Sequence, residues 1–384
     1  MNKVISRRTF IGGGAVLGAS ALATLSGCSP FSKSGDGSEY NVVILGDTHY
    51  DTEPDSVYHS HYDEKVEWLN RVQRQEFARN GEMWRERCPR MLSRAGANID
   101  SKTVFTLQMG DLIQGDCMDP ETHRKMLDDV MNNFKGQLQN KPIVTVVGNH
   151  DIRGYDKDGE YGPRVYAEYM TDRMSKELGQ KVEKTTFSFW KGKDVWIVVD
   201  FNDPDLEEIK KQLDKSSDAR YTFFVTHGPV FPYDSASCRW FLLGKSEQTE
   251  KRKELRSILA KRNVIVLCGH THMLEYADWF GDGGNITQFT MNSVWSKEEL
   301  DKPEYDSTTP DEYGSLRRGK INDDGTPVKD ETALFDEYRP GLKTYQHAKA
   351  AGSFKLFVSD KSVKIDFFGG DSEAVTQSWM LREK

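Results

Sequence analysis

The sequence predicts an α/β fold in which buried sheet is covered by helices. Two observations carry this. Short apolar runs alternate along the chain with helical stretches, the pattern of strands over which helices pack. Five of those runs (42–45, 104–109, 143–147, 221–225 and 264–268) lead straight into ligand-type side chains, and open α/β sheets build their sites outside the carboxyl ends of their strands.

The elements follow in order. A strand is predicted over 40–46, then a long segment, 50–101, whose second half is helical. There Trp68, Leu69, Val72 and Phe77 recur at helical spacing, with Trp84 and Met91 beyond, the mark of a core-facing stripe. Strands over 103–109 and 143–147 flank a helix over 120–140. A helix near 163–178, strands over 185–189 and 195–200, a helix over 204–213, a strand over 221–226, a helix over 247–261 and a strand over 264–268 come next. Late strands fall near 286–292, 353–358 and 362–368. The stretch 295–352, rich in Asp, Glu, Pro and Tyr and without periodicity, reads as long loops. The two inserts, 50–101 and 295–352, are expected to rim a pocket and set its substrate. Ligand-type residues run from 47 to 272, so the length prior for two domains yields to one unit over 40–384.

The blocks that close the five runs are Gly46-Asp47-Thr48-His49, Gly110-Asp111, Gly148-Asn149-His150-Asp151, Thr226-His227-Gly228 and Gly269-His270-Thr271-His272. They hold five of the nine histidines. Carboxylate, amide oxygen and imidazole without thiolate form a mixed N/O donor set, suited to Mn, Fe, Zn or Ni and unlike a structural cysteine site. The order of the blocks resembles the calcineurin-like metallophosphoesterase family over about residues 40–272. The resemblance implies two stacked mixed β-sheets flanked by helices, a four-layer sandwich. It also implies a dinuclear metal centre in which Asp47, His49 and His272 hold one ion, Asn149, His227 and His270 hold the other, and Asp111 bridges them. Two cations about 3.5–4 Å apart repel and need such an anionic bridge.

The reaction the resemblance implies is hydrolysis of a phosphate ester, a metal-bridging hydroxide attacking phosphorus in line. Seven residues fill the two ligand sets without His150, which resembles the family's catalytic histidine and would assist the leaving group. Asp151 is expected to orient and charge that imidazole, in preference to the plain reading of a turn or cap aspartate. Monoesterase and diesterase remain open. The competing class is a non-catalytic surface lipoprotein that binds a ligand at a vestigial metal site; loss of His150 or of a ligand would mark it, and all are present.

Departures from the family narrow the substrate. Purple acid phosphatases place a ligand tyrosine three residues after the Gly-Asp aspartate, where this chain has Gln114, so a tyrosinate-bound ferric centre is not expected. Ser/Thr phosphoprotein phosphatases continue Gly-Asp with Val-Asp-Arg-Gly; here Leu112-Ile113-Gln114-Gly115-Asp116 lacks the arginine. Arg153 and Arg124 are the alternative phosphate clamps, with solvated surface arginines as the plainer reading. His59 and His61 read as a polar loop at the mouth of the site, with a third metal or a substrate contact as the alternative.

The N-terminus reads as an export signal. Ser6-Arg7-Arg8-Thr9-Phe10-Ile11 resembles a twin-arginine motif, and the apolar stretch over 11–23 is too short and glycine-rich to span a membrane. Leu25-Ser26-Gly27-Cys28 resembles a bacterial lipobox, so residues 1–27 are expected to be removed and Cys28 lipidated. Residues 28–39 read as a flexible tether. The expectation is a membrane-anchored lipoprotein on the periplasmic or cell-surface face of a bacterium. Removing residues 1–27 takes three basic residues and no acid, moving the formal charge from −8 to −11. Together with the lack of a basic cluster, this disfavours nucleic acid as a partner and leaves a small phosphate ester. The other cysteines (88, 117, 238 and 268) are too sparse for a disulfide framework, and Cys268 reads as a buried apolar residue.

Overall fold

The computed structural model describes residues 31–33, 39–52, 58–59, 67–117, 119–156, 158–232, 241–293, 304–306, 313 and 332–384. The signal segment 1–27, Cys28, His61 and most of 295–331 lie outside the described residues.

Two sheets stack face to face. The first has six strands in the order β16-β15-β14-β1-β2-β3. These are β1 (Tyr40–Leu45), β2 (Thr103–Gln108), β3 (Ile143–Thr145), β14 (Gly352–Val358), β15 (Ser362–Gly369) and β16 (Gln377–Glu383). The second has eight, in the order β12-β13-β10-β11-β9-β8-β7-β6. Its strands are β6 (Phe187–Lys191), β7 (Asp194–Val199), β8 (Thr222–Thr226), β9 (Ile265–Cys268), β10 (Leu274–Gly281), β11 (Gly284–Thr290), β12 (Glu304–Asp306) and β13 (Leu342–Lys349). A small hairpin, β4 (Tyr155–Asp156) and β5 (Gly159–Glu160), stands apart.

Helices α1 (Glu67–Glu86), α2 (Cys88–Ala97), α3 (Pro120–Gln137) and α4 (Gly162–Leu178) cover the first sheet. The second is covered by α5 (Leu206–Asp214) and α6 (Thr249–Lys261), with α7 (Thr332–Tyr338) beside them. The result is the four-layer sandwich. One apolar cluster fills the space between the sheets and under α2–α4, and a second lies under α5 and α6. Strands β1–β3 and β7–β9 are mostly apolar and almost wholly buried, because they are covered on both faces.

The central strands β1, β2 and β3 run parallel to one another, as do β7, β8, β9 and β11. Their carboxyl ends share one edge of the sandwich, where both sheets deliver the ligand-type blocks. Tail strand β14 pairs antiparallel with β1.

Three expectations are corrected. Residues 295–352 are not only loops: β12, α7 and β13 lie within them. Strand β13 (LKTYQHAK) lacks an apolar rhythm because its polar side chains are answered, within the sheet where Tyr345 donates to Glu275 of β10 at 2.7 Å and across the sheets where Trp379 of β16 donates to Gln346 at 2.8 Å. The tether is fastened at residues 31–33, where Phe31 is buried between Phe105 and Phe189. Helix α5 starts two residues later than expected because Asp205 caps it, accepting from the backbone N–H of Glu207 and Glu208.

Candidate metal centre

All five blocks meet at the shared carboxyl edge. The first sheet brings Asp47 and His49 from the end of β1, Asp111 from β2, and Asn149 and His150 from β3. The second brings His227 from β8 and His270 and His272 from β9. Asp47, Asp111 and His227 are buried, while the His272 side chain is 39% exposed and marks the open side.

Local backbone geometry aims these side chains. His49, Asp111, His270 and His272 all have positive φ (43°, 47°, 73° and 53°), a left-handed conformation uncommon outside glycine. Four such residues in one site are strain concentrated where function is. Gly110 turns at φ 88°, and a Cβ on Gly148 would lie 2.1 Å from the Asp111 amide nitrogen. No other residue fits that closely under the Asp111 loop.

The donor atoms form two groups around one carboxylate. His49 Nε2 stands 3.1 Å from His272 Nε2, and His272 Nε2 is 3.4 Å from Asp47 Oδ2. On the other side, His227 Nε2 lies 3.0 Å from His270 Nδ1 and 3.3 Å from Asn149 Oδ1. Asp111 Oδ2 is 3.5 Å from His49 Nε2 and 3.3 Å from His227 Nε2, between the groups. Imidazole nitrogens aimed at each other share at most one proton, so facing lone pairs invite a cation. Asp47 Oδ2 is buried without a hydrogen-bond partner, a cost an ion would remove. These residues fit a metal centre.

Neighbours fix the ring tautomers. His227 Nδ1 donates to the Met109 carbonyl at 2.8 Å, which leaves Nε2 facing the site. His49 Nδ1 faces Gln114 Oε1 at 3.2 Å, and His150 Nδ1 donates to the Gln114 carbonyl at 2.9 Å. Gln114 is fully buried and held in turn by Asn80 and Glu76. It entered the sequence reading only as a departure from a tyrosine; its support of two histidines is visible only in three dimensions. Gln114→Ala is expected to weaken divalent-cation affinity by about 10- to 100-fold. Titration against a chelator checks this, and unchanged affinity would remove Gln114 from the supporting shell.

Asp151 does not reach the His150 imidazole. Its Oδ1 accepts from the Ile113 amide at 3.0 Å and its Oδ2 from the Gly148 amide at 2.8 Å. The side chain following the histidine is thus a buried brace between two ligand loops. His59 is also corrected. It is buried, with its ring centre 3.6 Å from that of Phe77 and Nε2 3.0 Å from Asp51 Oδ2, and so is a packed residue and not part of a solvated polar loop. Arg124 pairs with Glu168 on the surface. Arg153 pairs with Asp116 and Glu76 beside His150.

Other supports went unread in the sequence. Gln108, the one amide in β2, holds the Gly46 and Gly110 carbonyls. Asn292 and Ser293 follow β11 just as the ligand blocks follow their strands; they bond the His272 carbonyl and the Gly46 amide. Phe201 lies against His227 and His270 at 5.8 and 5.1 Å between ring centres. Buried Cys88, Cys117 and Cys268 are free thiols, and burial pushes the Cys268 thiol well up.

Electrostatics follow from burying so many charges together. Burial pushes Asp47 up to about 8. For Asp111 burial acts upward too, but the His227, His150 and His49 rings outweigh it and hold the carboxyl well down. His227 is lifted to about 9: burial opposes this, and the Asp111 and Asp47 carboxylates prevail. Burial lowers His150 to about 3 and holds His49 well below its ordinary value.

A pH dependence follows. Asp47 and His227 have raised folded values, so the stability they contribute is present at low pH and lost as pH rises through about 8 and about 9. Above about pH 6.5, His49 and His150 are neutral folded or unfolded and drop out. The chelated protein should therefore lose melting temperature between about pH 6.5 and 9, while cation binding, freed from proton competition, strengthens. The gain in Tm on adding Mn²⁺ should grow across that window; a gain that shrinks would contradict this account.

The family model for calcineurin-like phosphoesterases matches residues 40–274. No curated protein matches the chain. Among solved structures, PhoD aligns with a TM-score of 0.50 at 11% identity, over 92% of this chain and 73% of its own. GAP50, the anchor in the inner membrane complex of Plasmodium, aligns at 0.45 and 12% identity over 90% of each chain. A dimetal phosphatase from Danio rerio aligns at 0.45 and 11% identity, over 90% of this chain and 99% of its own. At 11% identity the likeness to PhoD is one of fold.

Proposed function

We propose a function from one premise: this chain belongs to the calcineurin-like phosphoesterase family. It is a hydrolase of small phosphate esters that works with two metal ions. Asp47, His49 and His272 would hold one ion, Asn149, His227 and His270 the other, and Asp111 would serve both. The carrying observation is the position of Asp111 Oδ2, within 3.5 Å of His49 Nε2 and 3.3 Å of His227 Nε2 and so common to both donor sets.

When bound, the ion pair supplies an activated water and offsets charge on the phosphoryl oxygens. The chain's own residues do the rest. His150 sits over the first set, its ring 4.4 Å from that of His49. Its Nδ1 proton is committed to the Gln114 carbonyl, which leaves Nε2 for the ester. Burial keeps the ring neutral near pH 7. A phosphate ester beside it raises its proton affinity, so the histidine becomes an acid for the leaving oxygen only with substrate present.

The test pairs metal analysis with hydrolysis of para-nitrophenyl phosphate and its bis ester. His150→Ala should keep both metals and lose about 10²- to 10⁴-fold in kcat. A metal-loaded wild type that turns over neither ester would instead favour a non-catalytic ligand-binding role. The ratio of the two rates assigns monoesterase or diesterase.

The place of action is part of the reading: an exported lipoprotein held by a lipid on Cys28, supported by the twin-arginine and lipobox resemblances. Cys28→Ala should release the protein from membranes with its activity intact. Retention of that variant in the membrane fraction would count against the anchor.

A further inference from the structure

The first described residues are fastened to the end of the sandwich opposite the metal centre. Phe31 is 5% exposed and lies edge-on to Phe105 of β2 at 5.8 Å and Phe189 of β6 at 5.5 Å, wedged between the two sheets. The Ser32 carbonyl accepts from the Gly192 amide at 3.1 Å. Lys33 Nζ donates to Asp218 at 2.5 Å and sits 4.7 Å over the Trp190 ring. Gly192 and Asp218 lie in the segments that lead into β7 and β8, at the amino ends of the parallel strands. Every candidate ligand is at their carboxyl ends.

We propose that residues 31–33 are a clip that sets how the enzyme stands on a membrane, with the amino edge of the sandwich on the lipid surface and the metal cleft turned away. This rests on the reading of Cys28 as a lipidated residue. Cys28 is three residues from Phe31, a reach of at most about 11 Å. Without the clip, the first fixed residue would be Tyr40, and twelve residues of tether would reach about 40 Å and leave the enzyme free to turn. The six residues of β7 rise about 3.3 Å each, so the two edges stand about 20 Å apart. Exposed Lys193 and Lys361, in the β6–β7 and β14–β15 turns, lie on the amino edge, where anionic headgroups would attract them.

The orientation selects a substrate class. Phosphates in the headgroups of the same leaflet lie against the edge away from the cleft and stay out of reach. The ester must arrive from solution.

The test uses the full acylated chain in vesicles of phosphatidylethanolamine and phosphatidylglycerol. A thiol-linked photocrosslinker is placed at Lys193→Cys on the amino edge or Asp203→Cys on the cleft edge, in a Cys238→Ser background. Lipid adducts are expected several-fold more often at 193 than at 203. Phe31→Ser should erase that bias while membrane retention and para-nitrophenyl phosphate hydrolysis stay unchanged. Equal adducts at both positions in the unclipped and clipped chain alike, or release of headgroup phosphate from the same vesicles, would overturn the orientation while leaving the phosphoesterase reading intact. Mass spectrometry showing no acyl group on Cys28 would overturn the anchor reading and the orientation with it.

Discussion

Asp111→Asn is expected to empty the centre of metal and abolish turnover in one step. Each carboxylate oxygen has a separate duty. Oδ1 accepts from the His150 amide at 2.7 Å, and Oδ2 faces both donor sets. An asparagine must turn its NH₂ either toward an amide that is itself a donor or toward the cations. Either choice loses a contact, and both lose the negative charge that offsets repulsion between two cations. A single lost electrostatic contact in such a site commonly costs about 10²- to 10³-fold. Loss of the shared ligand should cost more, on the order of 10⁴-fold in kcat/KM, with fewer than two ions retained per chain. Metal analysis and hydrolysis of both nitrophenyl esters read the two effects together. Two bound ions with a near-normal rate would sink the two-metal reading.

Asp151→Ala should instead strike the fold. The carboxylate is fully buried and satisfies two backbone amides, from Ile113 and Gly148, on loops that deliver Asp111 and Asn149. Removing it leaves both N–H groups without an acceptor, a cost of about 2–5 kcal/mol. A drop of several degrees in Tm should appear even in the metal-loaded protein. The fraction that remains folded and loaded should keep its rate within about tenfold, because the His150 ring is held by Gln114. The opposite result, an unchanged Tm with a rate lost by about a thousandfold, would restore a catalytic role for Asp151.

The contrast between these residues shows what the sequence makes legible. Residue type and strand termination were enough to nominate Asp47, Asp111, Asn149 and the five block histidines as candidates that meet at one edge, because a donor at a strand end has few places to point. Asp151 carries the same residue type in the same block, but its duty depends on which atoms it faces, and two backbone amides claimed it. The parallel strands could be read because burial on both faces makes them apolar. β10, β13 and β16 could not: their polar side chains pair across strands and sheets, as Gln346 does with Trp379. A single residue, Arg87, separates α1 from α2, with Pro89 in the first turn of α2, so a single stripe over 50–101 hid a break. Gln114 was invisible as a support because its partners are 65 and 36 residues away.

One contact of the first insert bears on how such an enzyme changes over time. Trp84 of α1 lays its indole N–H between the carbonyls of Thr48 and His49, at 2.9 and 3.0 Å, and Asn80, one turn earlier, holds Gln114. The segment expected to choose the substrate is thereby also fastened to the candidate metal centre. Grafting a different insert into positions 50–101 would change more than the shape of the entrance: it would unfasten the loop that presents His49. Because the Trp84 indole ties helix α1 to the His49 loop, a change of substrate that leaves the site intact is expected to come from point changes on the existing helix, around an indole that stays where it is.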